Sequence, residues 1–148
     1  GRPHMVLRPY GFTSIIANVS WTVLFHDEFD REYRTLAKGL QDELLAHALL
    51  LSQFGPGLGR PTVDTLKGSK HANMKELRFG WQGEVWRVAF AFDPNRQAML
   101  LVAGDKGGAD QKRFYKRLIG LADARFDMHL ASLASVAARM ERRHAKKS

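Results

Sequence analysis

The sequence contains no cysteine, and this absence excludes two classes of site. Disulfide frameworks and zinc sites built on thiolates both need cysteine. The chain also lacks any apolar run near the roughly 20 residues of a membrane-spanning helix, so we expect no membrane partner. It has no acidic excess either, because 23 lysines and arginines outnumber 15 aspartates and glutamates. What remains is a small basic protein that we expect in a reducing cytoplasm.

The positive charge accumulates toward the C-terminus. Residues 1–54 hold five basic and six acidic residues, a net charge of −1, whereas residues 110–148 hold ten basic and four acidic residues, a net charge of +6. An uneven distribution of this kind is typical of proteins that bind nucleic acid or acidic proteins. The charge pattern therefore predicts an anionic partner.

The first half of the chain is predicted to form a strand followed by two helices. Alternating β-rich residues over 21–26 indicate a short strand. Asp27 is a plausible N-cap for a helix that reaches about Leu36, and apolar spacing predicts a second helix from about Leu40 to Gln53. Because Gly39 separates them, the two helices should form a hairpin.

From Met74 onward the apolar pattern changes to a period of two, which predicts strands. Turn residues at 82–83 and 93–96 divide this segment into three strands of an antiparallel meander. A helix is predicted from its cap at Asp110, and residues 129–146 also have helical character. The order βααβββα predicts an α+β fold, in which the helical hairpin and the C-terminal helix pack on one face of a small antiparallel sheet.

Two arginines lie within the predicted strands, and their position suggests a binding surface. Period-two alternation places Arg78 and Arg87 on the face opposite the large apolar residues, beside the small Ala89 and Ala91. The alanines would leave a shallow floor, and guanidinium groups are well suited to bind phosphate oxygens. Basic residues that could flank the same surface are Lys106, Lys70 and His71. The alternative is that Arg78 forms a surface ion pair with Glu76 or Glu84.

Four short segments resemble a known family. Residues 66–68, 75–78, 85–90 and 98–106 resemble the RelE/ParE superfamily of bacterial toxins, in its HigB-like and phage Gp49-like branch. The resemblance covers roughly residues 21–130. We therefore expect a RelE/HigB-like domain over residues 21–130 and a basic C-terminal helix or tail over residues 131–148. Residues 1–20 are expected to be an N-terminal extension that opens with a tag remnant, which the first five residues suggest.

The resemblance implies a toxin of a type II toxin–antitoxin system. Many members are metal-independent, ribosome-dependent endoribonucleases, in which the RNA 2′-hydroxyl attacks the adjacent phosphate. The expected partners are a HigA-like helix-turn-helix antitoxin, the ribosome with its mRNA, and operator DNA bound through the antitoxin complex. No cofactor and no metal are expected, and the spacing of the remaining histidines does not suggest metal ligands.

The resemblance also implies roles for particular residues. Arg87 would contact the scissile phosphate, supported by Arg78 and Lys106, and Tyr115 would stack on a base or assist proton transfer. Where relatives carry strand lysines, this chain has Met74 and Glu76. The general base is therefore open between His71 and Lys70, with Asp105 as a weaker candidate. The residues expected to bind RNA or phosphate are Lys70, Lys112, Arg113, Lys116 and Arg117, although the last four could equally form a solvated helix face.

Two other functions remain open from the sequence. The chain could be a gyrase poison of the ParE kind, in which the basic ribonuclease set is reduced. It could also be a non-enzymatic subunit of a repressor complex, with the residues from Lys112 to Arg117 contacting DNA phosphates.

Overall fold

The computed structural model describes residues 21–108 and 110–147, so the predicted tag remnant and extension, residues 1–20, lie outside the described residues. The described part contains five strands and three α-helices. In chain order they are β1 (Thr22–Phe25), α1 (Asp27–Arg34), α2 (Lys38–Phe54), β2 (Val63–Thr65), β3 (Lys75–Trp81), β4 (Glu84–Phe92), β5 (Gln97–Asp105) and α3 (Gln111–Lys147). The α+β class and the predicted hairpin and meander are confirmed.

The five strands form one sheet in the order β1-β5-β4-β3-β2. The meander is antiparallel as predicted, but β1 runs parallel to β5, with Thr22 opposite Gln97, so the prediction of a purely antiparallel sheet is wrong. The helical hairpin and the meander separate β1 from β5 in sequence, and no local pattern specifies such a distant partner. Strand β2 was not predicted because three residues are too few to show a period of two.

The N-cap of helix α1 lies one residue before the predicted cap, Asp27. The N-cap is His26, whose Nδ1 accepts a hydrogen bond from the backbone N–H of Glu28 at 3.1 Å, and Asp27 is the first helical residue. An imidazole nitrogen can thus satisfy one of the free N–H groups of a helix start. Asp110 does cap α3, since its Oδ1 accepts from the backbone N–H of Lys112 at 3.4 Å.

The sheet is covered on both faces, which corrects the expectation that all helices lie on one side. The large strand residues pack with α1 and α2, as the alternation predicts, in a core that includes Leu77, Phe79, Val88 and Phe90. The opposite face, with Ala89 and Ala91, packs under α3 against Leu118, Ala122 and Phe126. Both alanines are fully buried, so they form a seat for a helix and not an open floor.

Helix α3 positions the candidate site because it crosses this second face from the end of β5. It has 37 residues, which corresponds to a length of about 55 Å at 1.5 Å per residue. The helix continues without a break through residue 130, where the sequence analysis ended the domain. In the described part of the chain, no helix combines the length and apolar character needed to cross a membrane.

Candidate anion-binding site

Arg78 and Arg87 lie directly opposite each other on β3 and β4. Two like charges in this cross-strand position are unfavourable unless anionic groups compensate them. The guanidinium of Arg87 lies beside α3, with its central carbon 5.6 Å from the ring centroids of both Phe114 and Tyr115. Nη1 of Arg87 donates to the carbonyl of Val85 at 3.1 Å, whereas its buried Nε has no hydrogen-bond partner among the described residues. A buried donor without a partner is rare in proteins, and Nε is closed to solvent, so an incoming acceptor would reach it only if the side chain moved.

Glu76 is the anion at the centre of this cluster. Its side chain is buried, the Tyr115 hydroxyl donates to its Oε1 at 3.2 Å, and Nε of Arg78 lies 3.5 Å from the same oxygen. Burial raises the pKa of Glu76, and the hydrogen bond from Tyr115 and the charges of Arg78 and Arg87 oppose this shift only in part. Its second oxygen, Oε2, accepts no hydrogen bond from a described residue. The raised pKa and the free Oε2 mean that the Glu76 carboxylate can accept a proton more readily than an ordinary glutamate.

Tyr115 links Glu76 to Arg87. Burial, followed by the negative charge of Glu76, raises the pKa of the Tyr115 hydroxyl. The hydroxyl therefore stays protonated at neutral pH and remains a hydrogen-bond donor. The cluster, defined here as Arg78, Arg87, Glu76 and Tyr115, combines two cations, one carboxylate and one hydroxyl within contact distance.

Phe114 is placed beside the cluster because the facing strand has a glycine. Gly104 lies opposite Arg87 on β5, and a Cβ built there would come within 3.1 Å of the Phe114 ring. Such a contact is closer than carbon atoms normally approach, so a side chain at this position would displace the ring. The glycine thus allows the first turn of α3 to approach β5 and to hold Phe114 against Arg87.

A cavity of about 510 Å³ lies beside Phe114 and contains the other basic residues of the site. Lys106, Arg113 and Arg117 line it. Lys112 and Lys116 are exposed on the same helix but do not line the cavity. The four basic residues of this helix that were predicted to bind RNA are therefore divided. The two arginines are directed toward the cavity and the two lysines toward solvent.

Lys70 and His71 lie at a different place, contrary to the expectation that they flank the same surface. His71 Nε2 is 2.8 Å from Oδ1 of Asp127, and Lys70 forms an ion pair with the other carboxylate oxygen. These contacts lower the pKa of Asp127, first through the hydrogen bond from Lys70 and then through that from His71. Asp127 is twelve residues after Tyr115, which is about 18 Å along the helix axis. The Lys70–His71 segment therefore attaches to the middle of α3, away from the cluster.

The sequence analysis missed the roles of two residues, Glu76 and Phe114. Glu76 was considered as an ion-pair partner of Arg78 and as a departure from the strand lysines of relatives, but not as a catalytic group. Its position two residues earlier on the same strand face indicates that both side chains project together. Phe114 was given no role in the site. Its contact with Arg87 depends on Gly104, and no local pattern relates a helix residue to a glycine on an earlier strand.

Comparisons with known proteins identify relatives of this chain. The family model described as phage derived protein Gp49-like matches residues 31–127. Two Mycobacterium tuberculosis proteins named as toxins, HigB2 and HigB3, are 54% identical over 84 residues and 52% identical over 83 residues. The match spans 55% of this chain and 41% of HigB2, and 56% of this chain and 70% of HigB3. A mutant of the E. coli toxin RelE, solved in the free state, superposes with a TM-score of 0.47 at 10% identity, over 68% of this chain and 94% of that one.

Proposed function

The chain belongs to the Gp49-like family of phage-derived proteins, and we propose from this premise that it is the toxin of a type II toxin–antitoxin system. The family match confirms the Gp49-like resemblance seen in the sequence motifs. The relatives named as toxins support the proposal, since this chain is more than half identical to each over the matched region. As its activity we propose metal-independent cleavage of mRNA on the ribosome, which inhibits translation and arrests growth in the cytoplasm.

The observation that carries the ribonuclease proposal is the convergence of two arginines on one carboxylate and one hydroxyl. In the proposed reaction the guanidinium groups of Arg87 and Arg78 donate to the oxygens of the scissile phosphate. Such donors stabilise the charge that develops in the transition state, and removing one costs on the order of 10²–10³ in rate at comparable sites. The unfavourable pairing of Arg87 with Arg78 fits a site that binds an anion.

Glu76 is the proposed general base, in place of His71 and Lys70. Its Oε2 takes the proton of the 2′-hydroxyl, whose oxygen attacks phosphorus while the bond to the 5′-oxygen breaks. The products are a 2′,3′-cyclic phosphate and a 5′-hydroxyl. Tyr115 gives its proton to the leaving 5′-oxygen, and rotation of the protonated Glu76 carboxyl then returns a proton to the Tyr115 oxygen, so the protons balance. Bases of this kind contribute about 10²–10⁴ in rate, and the raised pKa of Glu76 favours this role.

Replacing Arg87 by alanine tests the proposal. Arg87→Ala should abolish growth arrest while the protein remains folded, because Arg87 is half-buried at the surface of the sheet and not within either core cluster. The matched control is Arg139→Ala, which removes the same charge from an exposed position 24 residues, or about 36 Å, beyond Tyr115 on α3. Growth arrest on induction and thermal unfolding of both purified variants are the measurements. A folded Arg87→Ala variant with full toxicity would show that the assignment is wrong.

The cleavage products distinguish the ribonuclease from a gyrase poison. Primer extension on mRNA from induced cells should give discrete cuts that disappear in the Arg87→Ala variant. Intact transcripts together with an SOS response would instead indicate a gyrase target.

The proposed partners are a HigA-like helix-turn-helix antitoxin, the ribosome with its mRNA, and operator DNA reached through the antitoxin complex. A short helix-turn-helix reading frame beside this gene would support the first of these. Gel shifts over a salt series, with the toxin alone and with that antitoxin, would then show whether the exposed Lys112 and Lys116 contact DNA, since phosphate contacts weaken steeply with salt.

A further inference from the structure

The cavity beside Phe114 lies at an open edge of the sheet. Strand β1 pairs with β5 only from Gln97 to Leu100, and β5 continues to Asp105. Residues from Val102 to Lys106 line the cavity where β1 has ended. The end of α1 and the first turns of α3 form its other sides. The edge of β5 therefore faces a space of about 510 Å³ where a neighbouring strand would otherwise lie.

About half of the residues that line this cavity are apolar, and one of them is aromatic. The apolar residues that line it are Leu36, Val102, Ala103, Phe114, Leu118 and Leu121. Phe114 also contacts Arg87, so a single ring separates the cavity from the cluster. A ligand bound in the cavity would thus be a direct neighbour of a phosphate bound at Arg87.

The polar residues at the rim leave a surplus of positive charge. Lys106, Arg113 and Arg117 form no ion pair with a described residue, whereas Glu32 is bound by both terminal nitrogens of Arg125 at 2.8 and 2.7 Å. Asp105, the other acid at the rim, raises the pKa of the adjacent Glu84 through its charge. Three unpaired cations around apolar walls suit a ligand that has an uncharged flat part and an attached anion.

We propose that this cavity binds one nucleotide of the RNA, adjacent to the cleaved phosphodiester, with the base on Phe114 and its phosphate at Arg113 and Arg117. The proposal rests on the proposed ribonuclease function and extends it to a second subsite. Stacking of a base on an aromatic side chain is tolerant of sequence, and the polar edge of a base needs backbone donors and acceptors such as those along β5. A phosphate alone would not contact the apolar walls. The aromatic ring, the open edge of β5 and the three cations together therefore favour a nucleotide.

Two double variants on α3 separate a specific subsite from general attraction. Arg113→Ala/Arg117→Ala removes two cations from the cavity, and Lys112→Ala/Lys116→Ala removes two cations from the exposed face of the same turns. Both pairs change the net charge equally, replace exposed residues and keep the helix propensity, so both proteins should fold. The probe is an RNA hexamer with 2′-O-methyl sugars, which has no 2′-hydroxyl to attack and so cannot be cleaved.

Binding is measured by fluorescence anisotropy and by the leucine methyl NMR signals of the cavity. The arginine pair should weaken hexamer binding by about tenfold or more, and the lysine pair by less than about threefold. In the wild-type protein the hexamer should shift the methyl signals of Leu36, Leu118 and Leu121, and inorganic phosphate should not.

Several results would contradict the nucleotide subsite, and each points to a different explanation. Equal weakening by the two pairs would show general electrostatic attraction, and unchanged methyl signals would show that no base enters. Methyl shifts caused by a synthetic acidic amphipathic peptide and not by the hexamer would identify a protein-binding groove instead. If Arg87→Ala is inactive but Arg113→Ala/Arg117→Ala binds the hexamer normally, the subsite fails while the proposed function stands.

Discussion

Replacing Glu76 by glutamine should remove catalysis without unfolding the protein. Glutamine has nearly the same shape, and its carbonyl oxygen can still accept the hydrogen bond from Tyr115. It cannot accept a proton from the 2′-hydroxyl, so cleavage should fall by about 10²–10⁴, the usual contribution of a general base. The ion pair with Arg78 is lost, but Arg78 is 40% exposed and the 3.5 Å contact is worth at most about 1 kcal/mol.

The pKa of Glu76 predicts how the stability of this variant depends on pH. Because burial raises the folded-state pKa above the usual value, ionisation of Glu76 costs the folded protein free energy. Wild-type stability that is present at low pH is thus lost as the pH rises through that pKa. The glutamine variant does not titrate, so it should unfold at an equal or higher temperature than wild type at pH 7. The two proteins should converge as the pH falls toward about 4, because the carboxyl then becomes largely protonated in the unfolded state as well.

The loss of catalysis in Glu76→Gln is measured as cleavage of mRNA in a reconstituted translation system. The pH dependence of its stability is measured by thermal unfolding between pH 4 and pH 8. The reasoning is refuted if the folded variant retains more than a tenth of the wild-type cleavage rate, because another group must then be the base. A variant that unfolds well below the wild-type temperature at pH 7 would show that the carboxylate has a structural role. Glu84→Gln, at an exposed position on the neighbouring strand, is the matched control.

Two further variants test the parts of the fold that surround the site. His71→Ala should keep full cleavage, because the imidazole contacts Asp127 and Phe126 and not the cluster. The unfolding temperature of this variant should fall, because those contacts are lost. Loss of cleavage in a folded variant would instead indicate that His71 is the base. Arg125→Ala should lower the free energy of unfolding by about 2–3 kcal/mol in urea titrations, because it leaves Glu32 and the carbonyl of Leu101 without their donors. The exposed Arg31→Ala control should cost less than about 0.5 kcal/mol, and equal losses would contradict this account.

The strand pattern predicted a large part of the candidate site. Residues i and i+2 share a strand face, so the alternation correctly placed Arg78 and Arg87 opposite the aromatic core. The same pattern also contained Glu76, whose importance is evident only once Tyr115 is known to lie above it. Lys70 and His71 could not be placed in this way, because they lie in a loop whose position is fixed by Asp123 and Asp127 on a distant helix.

The interpretation of Ala89 and Ala91 shows where local pattern stops being sufficient. Small residues on a sheet face are compatible with an open floor and equally with a closely packed helix. The structure places α3 over them, with Phe126 and Leu118 filling the space that the alanines leave. The anion site is therefore displaced from the centre of this face to the place where α3 begins, beside Arg87.

The sequence by itself determined the helices, every strand except β2, the apolar face of the meander and the family, because these depend on residues close together in the chain. Only the tertiary structure decided that β1 lies parallel to β5, that α3 covers the alanine face, and that Glu76, Tyr115 and Arg87 meet. Each of these depends on which distant surfaces bury the most apolar area together, and that is a property of the whole chain. The two arginines were visible in the sequence, but the carboxylate and the hydroxyl proposed to act with them became apparent only when the chain was folded.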